Sequence, residues 1–130
     1  MKVVVNKCYG GFGLSYDAVM RYAQIKGIKM FAFVEKGSTN QLKEYKGGEA
    51  FSIYYSTKPL KNGKLQEKYY FSYRDIDRDD PTLVQVVKEL KKKANGTCAK
   101  LEIVEIPDGV EWEIEEYDGN EWVSEAHRTW

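Results

Sequence analysis

The sequence predicts an α+β fold: a mixed β-sheet, two main helices and an acidic C-terminal β-hairpin, all within a single domain covering residues 1–130. Three observations carry that expectation. A β-branched run at residues 2–6 leads through a glycine-rich loop into a segment of helical period. A second helical segment starts behind Asp80-Pro81. After Lys100, apolar and acidic residues alternate with the period of a half-buried strand. At 130 residues, 42% of them hydrophobic, the chain has apolar material for one core.

The elements follow in order. Residues 2–6 form a strand that stops at Asn6, and Cys8 to Gly13 form the loop. Ser15 is the N-cap of the first helix, with Leu14 and Val19 placed as a hydrophobic staple. Ala18, Val19, Tyr22, Ala23 and Ile25 make its buried stripe, and Gly27 ends it. Residues 28–34 read as a core strand, which crossover handedness sets parallel to the first. Residues 36–48 have no period and read as loop. Ala50 to Ser56 and Glu67 to Arg74, rich in Tyr and Phe, read as an extended hairpin. Asp80 then caps a helix with Pro81 at its first position and Leu83, Val84, Val87 and Leu90 on its apolar face. Lys91 to Lys93 stand near its negative end, and Asn95-Gly96 terminates it. The acidic part is β: 101–106, a Pro107-Asp108-Gly109 turn, 110–117, an Asp118-Gly119 turn and 121–124.

Several function classes are disfavoured by composition. No window approaches the eighteen uncharged apolar residues of a membrane span, and the opening run is too short for a secretory signal, so the expectation is a cytosolic protein with no membrane partner. Cys8 and Cys98 lie far apart without metal-ligand spacing, which argues against a disulfide scaffold or a zinc site. Lysine plus arginine equals aspartate plus glutamate at 20 each, but residues 1–100 carry a net charge of +9 and residues 101–130 one of −9. Overall neutrality argues against non-specific duplex DNA binding. The asymmetry leaves room for a basic pocket that takes a small phosphorylated ligand, or for self-association of unlike faces.

The Cys8 to Ser15 loop is the first candidate site, because glycine lets backbone amides approach an anion. It matches neither the GxxxxGK[ST] nor the GxGxxG pattern, and it lacks the arginine that a cysteine phosphatase needs at the loop's end. Cys8 with His127 and Glu125 would make a thiolate, base and orienting acid, a weaker reading than simple packing of Cys8. The run from Arg74 to Asp80 lacks the glycine and terminal glutamate of a calcium loop. Its Arg74 and Arg78, two of only four arginines, suit bidentate phosphate recognition or ion pairs with neighbouring aspartates. Tyr54, Tyr55, Tyr69, Tyr70, Phe71 and Tyr73 cluster on two segments, as core, interface or a stacking face for a purine. Arg128 beside Trp130 places a cation next to a ring.

Residues 3–15 (Val-Val-Val-Asn-Lys-Cys-Tyr-Gly-Gly-Phe-Gly-Leu-Ser), residues 110–119 (Val-Glu-Trp-Glu-Ile-Glu-Glu-Tyr-Asp-Gly) and His127-Arg128-Thr129-Trp130 resemble proteins of phages and prophages. The family they resemble is the signal-sequestering type of Thoeris anti-defence protein. The resemblance implies a sponge with no cofactor and no catalytic residue, working in the cytoplasm of an infected or lysogenic bacterium. Such proteins bind cyclic ADP-ribose isomers made by TIR-domain enzymes, glyco-cyclic ADP-ribose among them, without cleaving them. Some also hold cyclic di- or trinucleotides, and they assemble as homodimers or trimers of dimers. On this reading the amides of Gly10, Gly11, Phe12 and Gly13, with Arg128 and Arg74 or Arg78, hold the phosphates. Tyr9, Phe12 or Phe71 stacks the base, Asn6 hydrogen-bonds ribose or base, and Cys8 lines the pocket. The alternatives are a small cyclic-nucleotide or ADP-ribose hydrolase using Cys8, and a prophage protein-binding module that docks through its acidic hairpin.

Overall fold

Two helices and eight short strands make an α+β fold in a computed structural model that describes residues 1–50 and 52–125. The order is β1 (Lys2–Asn6), α1 (Tyr16–Lys26), β2 (Phe31–Glu35), β3 (Leu42–Glu44), β4 (Tyr54–Ser56), β5 (Tyr70–Phe71), α2 (Pro81–Leu90), β6 (Leu101–Glu105), β7 (Trp112–Tyr117) and β8 (Asn120–Glu125). Contacts within this domain gather in two compact units. One holds Met1–Tyr22 and the described residues from Tyr73 onward; the other is Ala23–Ser72.

In the first unit, β1 pairs antiparallel with β6, Val4 facing Ile103 and Asn6 facing Leu101. Val3, Val4 and Val5 are fully buried, and α2 packs on both strands with Leu83, Val84, Val86 and Val87 inward. Removing that aliphatic surface from water is the main stabilising term here. β7 and β8 form a hairpin through Asp118-Gly119, both at positive φ, as its tight turn requires. The alternation expected for β7 is present, with Trp112 and Ile114 half-buried and Glu113 and Glu115 exposed.

In the second unit, the sheet order is β3-β2-β4-β5, every pair antiparallel. Ala32, Phe33, Tyr55 and Ser56 are its buried sheet residues.

Both helix starts are as the sequence predicts. Ser15 Oγ accepts from Ala18 N–H at 3.1 Å, and Leu14 and Val19 are both buried. Asp80 Oδ1 accepts from Thr82 N–H at 2.8 Å, with Pro81 opening α2. The same carboxylate also accepts from the Tyr22 hydroxyl of α1 through Oδ2 at 2.7 Å, within the first unit. Burial, then the bond and charge of Asp80, raises the Tyr22 pKa. Replacing Asp80 by Ala should therefore cost about 2–3 kcal/mol in denaturant unfolding, because the cap and the Tyr22 acceptor go together.

Three expectations are corrected. Among the described residues the sheets are antiparallel, not mixed, and β1 does not pair with β2. One edge of β1 is taken by β6. On the other, Val4 N–H donates to the Arg78 carbonyl at 2.8 Å and Asn6 N–H to Glu121 Oε1 at 2.8 Å, so no edge is left. Residues 36–48 are not all loop, since Lys36 N–H donates to the Gln41 carbonyl and β3 returns along β2. The tyrosine-rich hairpin shrinks to two residue pairs, because 3₁₀ turns at Glu67–Tyr69 and Tyr73–Asp75 take the flanks of β5. The expected turn at Pro107-Asp108-Gly109 is present, and it connects β6, whose partner is β1, to β7, whose partner is β8.

Candidate functional site

The loop that leaves β1 is shaped by what surrounds Asn6. This side chain is fully buried. Its Nδ2 donates to the carbonyls of Cys8 and Gly119, both at 2.7 Å, and its Oδ1 accepts from Lys100 N–H at 2.8 Å. Gly10 N–H donates to the Asp118 carbonyl at 3.1 Å. The β7-β8 turn is thereby fastened to the loop. A Cβ on Gly119 would stand 2.2 Å from the Gly11 nitrogen, so only glycine permits the approach.

Beneath the loop lies a polar cluster that local sequence patterns do not reveal. Arg78 makes a bidentate pair with Glu121, at 2.6 Å from Nη1 to Oε1 and 3.0 Å from Nη2 to Oε2. Oε1 also takes the Asn6 N–H. The guanidinium carbon sits 3.6 Å from the centre of the Phe12 ring, and Phe12 meets Tyr73 edge-on with centroids 6.0 Å apart. Bidentate geometry, stacking and low exposure make this a strong anchor for the loop.

Next to Gly10 the chain runs differently. The N–H groups of Gly11, Phe12 and Gly13 have no acceptor among the described residues, although Phe12 and Gly13 are buried. Buried backbone donors are normally paired, so consecutive open amides form a place for an anion or for ordered water. The Tyr73 hydroxyl, which has no partner among the described residues, would be 3.6 Å from a Cβ on Gly13. Gly96 N–H donates to the Gly13 carbonyl at 2.9 Å and holds the far side of the loop. A Cβ on Gly96 would meet the Gly13 carbonyl carbon at 2.8 Å. At the loop's root Lys7 N–H donates to the Lys100 carbonyl, which brings two lysines to the end of the β1-β6 ladder. The α1 N-terminus is not the open end, because Ser15 already closes it.

The expected site residues therefore separate. Gly10, Gly11, Phe12 and Gly13 are together, but the amide of Gly10 is bound to Asp118. Tyr9, 61% exposed, and Cys8, an exposed free thiol, border the loop. Three of them have partners within the fold: both N–H donors and the oxygen of the Asn6 side chain are engaged, Arg78 lies over the Phe12 ring, and Arg78 pairs with Glu121. Arg74 is exposed on the 3₁₀ turn that begins at Tyr73. Phe71 lies in β5 of the other unit. Arg128, with His127, falls outside the described residues. Tyr73, Lys7 and Lys100 are additions to the residues expected from the sequence.

Among the described residues no group of three or more His, Cys, Asp or Glu is placed to hold a metal ion. No helix among them is long and apolar enough to cross a membrane. Comparison with known protein families, characterised proteins and solved structures finds no match.

Proposed function

We propose that the protein is a phage or prophage anti-defence sponge that binds a cyclic ADP-ribose signal, glyco-cyclic ADP-ribose in the first instance, and holds it without cleaving it. The observation that supports this reading is the row of open amides at Gly11, Phe12 and Gly13, fixed by the Asp118-Gly119 turn and faced by the Tyr73 hydroxyl. Such a row suits a phosphate or pyrophosphate oxygen, because several oriented N–H dipoles act together where reorganisation costs little. Lys7 and Lys100 add positive charge at the loop's root, and the exposed Tyr9 ring offers a face for the base. Arg128 and Arg74 remain the arginines proposed for the phosphates.

The sponge acts in the cytoplasm of the bacterial host, where the signal is made. It assembles as a homodimer or trimer of dimers, and cyclic di- or trinucleotides are further candidate ligands. Sequestration depends on affinity and abundance: a nanomolar dissociation constant corresponds to about 12 kcal/mol, within reach of several charge-assisted contacts to a buried ligand.

Calorimetric titration with glyco-cyclic ADP-ribose, followed by denaturation and chromatography of the ligand, tests the reading. Tight binding with the ligand returned unchanged is expected. Binding with a new product would make the protein a hydrolase and direct attention to Cys8, and the absence of heat would refute the assigned ligand. The Tyr73→Phe variant should bind about tenfold more weakly while melting at nearly the parent temperature, because one hydrogen bond to a charged group is removed.

A further inference from the structure

Among the described residues, β6 has a strand partner on one side only. In its antiparallel ladder with β1, the Met1 ammonium donates to the Ile106 carbonyl at 3.0 Å and Ile106 N–H to the Met1 carbonyl at 2.8 Å, and Lys7 N–H donates to the Lys100 carbonyl at 2.8 Å. Hydrogen-bonded and non-bonded pairs alternate along such a ladder, so Glu102 and Val104 turn their main chain toward β1, while Leu101, Ile103 and Glu105 turn theirs away. Leu101 obeys this parity, because its N–H leaves the ladder and donates to Asn95 Oδ1 at 2.9 Å. The N–H and C=O groups of Ile103 and Glu105 have no partner among the described residues. Beyond them, Pro107 has no N–H to offer.

Open main-chain groups on alternate residues are a template for another strand, and here they are complementary to themselves. When two copies of β6 run antiparallel about a two-fold axis at Val104, Ile103 of each faces Glu105 of the other, and every open N–H and C=O of both residues is paired. One position further out, Leu101 of each copy faces Pro107 of the other. Neither donor is needed there, since Asn95 already takes the Leu101 N–H and Pro107 has none. A register shifted by two residues would instead set the Glu105 carbonyl against the Leu101 N–H that Asn95 holds. The side chains agree with the first register. Val3 faces Val104 across the ladder, and Val3 is fully buried while Val104 is half-buried. A second copy extends that row to Val3-Val104-Val104-Val3 and covers apolar surface with the same residue type. Glu105 brings its own counter-charge, because Lys2 stands opposite it on β1.

We infer that the outer edge of β6 docks a second copy of this chain, joining two β1-β6 pairs into one four-stranded antiparallel sheet with Val104 at its two-fold axis. The inference rests on the homodimer proposed above and names the surface that forms it. It does not depend on which ligand the glycine loop takes.

Analytical ultracentrifugation of the full chain and of a Glu105→Pro variant tests this inference, together with a cysteine placed at the axis. The parent is expected to sediment as a dimer. Glu105→Pro removes an outward N–H that no bond within the described chain uses, from a residue whose side chain is exposed. It should therefore keep the parent's circular dichroism spectrum and raise the dimer's dissociation constant at least about tenfold. Val104→Cys, in a Cys8→Ser, Cys98→Ser background, should form an intermolecular disulfide under mild oxidation, because the Cα atoms of a facing non-bonded pair stand about 4.5 Å apart. Glu102→Cys in the same background should not, since Glu102 faces Ile106 of the other copy. A monomeric parent, a Glu105→Pro variant that dimerises as the parent does, or a Val104→Cys variant that stays uncrosslinked would overturn the inference. A dimer that crosslinks at Val104 but gives no heat with glyco-cyclic ADP-ribose would refute the ligand and support this surface, whereas ligand bound by a monomeric parent would do the reverse.

Discussion

Replacing Arg78 by methionine should lower unfolding stability by about 3–5 kcal/mol in chemical denaturation, the loss expected when one partner of a buried ion pair is removed. The pair is well screened from water, with the Arg78 side chain 19% and the Glu121 side chain 8% exposed. Methionine approximates the aliphatic stem and still covers Phe12, so the loss reports mainly the carboxylate left without its cation. Among the described residues that carboxylate then retains only the Asn6 N–H, at 2.8 Å. Combining Arg78→Met with Glu121→Leu should recover part of the loss, since no charge then remains buried. Recovery stays incomplete because the Asn6 N–H loses its acceptor. If the single variant unfolded at the parent's midpoint, the cluster would not be the anchor of the loop.

Gly119→Ala should be nearly as damaging, at about 3 kcal/mol or more, and it acts through the backbone. Gly119 has φ +91°, which an L side chain rarely adopts, and an added Cβ would be 2.2 Å from the Gly11 nitrogen and 2.7 Å from that of Gly10. Neither amide can yield without breaking the Gly10 bond to Asp118 or the Asn6 bond to the Gly119 carbonyl. Stability and ligand binding should therefore fall together. A Gly109→Ala variant is the control, because Gly109 also has positive φ but no atom within 4 Å of its Cβ position. It should cost only about 1 kcal/mol and leave binding intact.

Local signals were legible wherever a side chain acts on its own backbone. Ser15, Asp80-Pro81 and Asp118-Gly119 each announce a cap or turn through residues that satisfy or free nearby main-chain groups, and all three occur in place. The apolar face of α2 follows from period alone. What was not legible depends on partners far away in the chain. No spacing indicates that β1 pairs with β6, or that Glu121, one of ten acids after residue 100, turns inward to Arg78 across 43 residues. The same distance effect hid the internal partners of Arg78, Phe12 and Asn6. Their chemistry suits a ligand, but Glu121, Arg78 and the loop carbonyls reach them first. The glycine loop itself was legible as a place where backbone amides come forward, although which amides stay open depends on the Asp118 carbonyl.

The central claim is that the amides of Gly11, Phe12 and Gly13 receive the phosphates of a cyclic ADP-ribose ligand. Titration of ¹⁵N-labelled protein with glyco-cyclic ADP-ribose, followed by amide nuclear magnetic resonance, addresses those groups one by one. The account predicts that these three resonances move downfield and become protected from hydrogen exchange, with smaller changes at Tyr9 and Tyr73. Saturable binding that leaves the three resonances unmoved, or no binding at all, would contradict it.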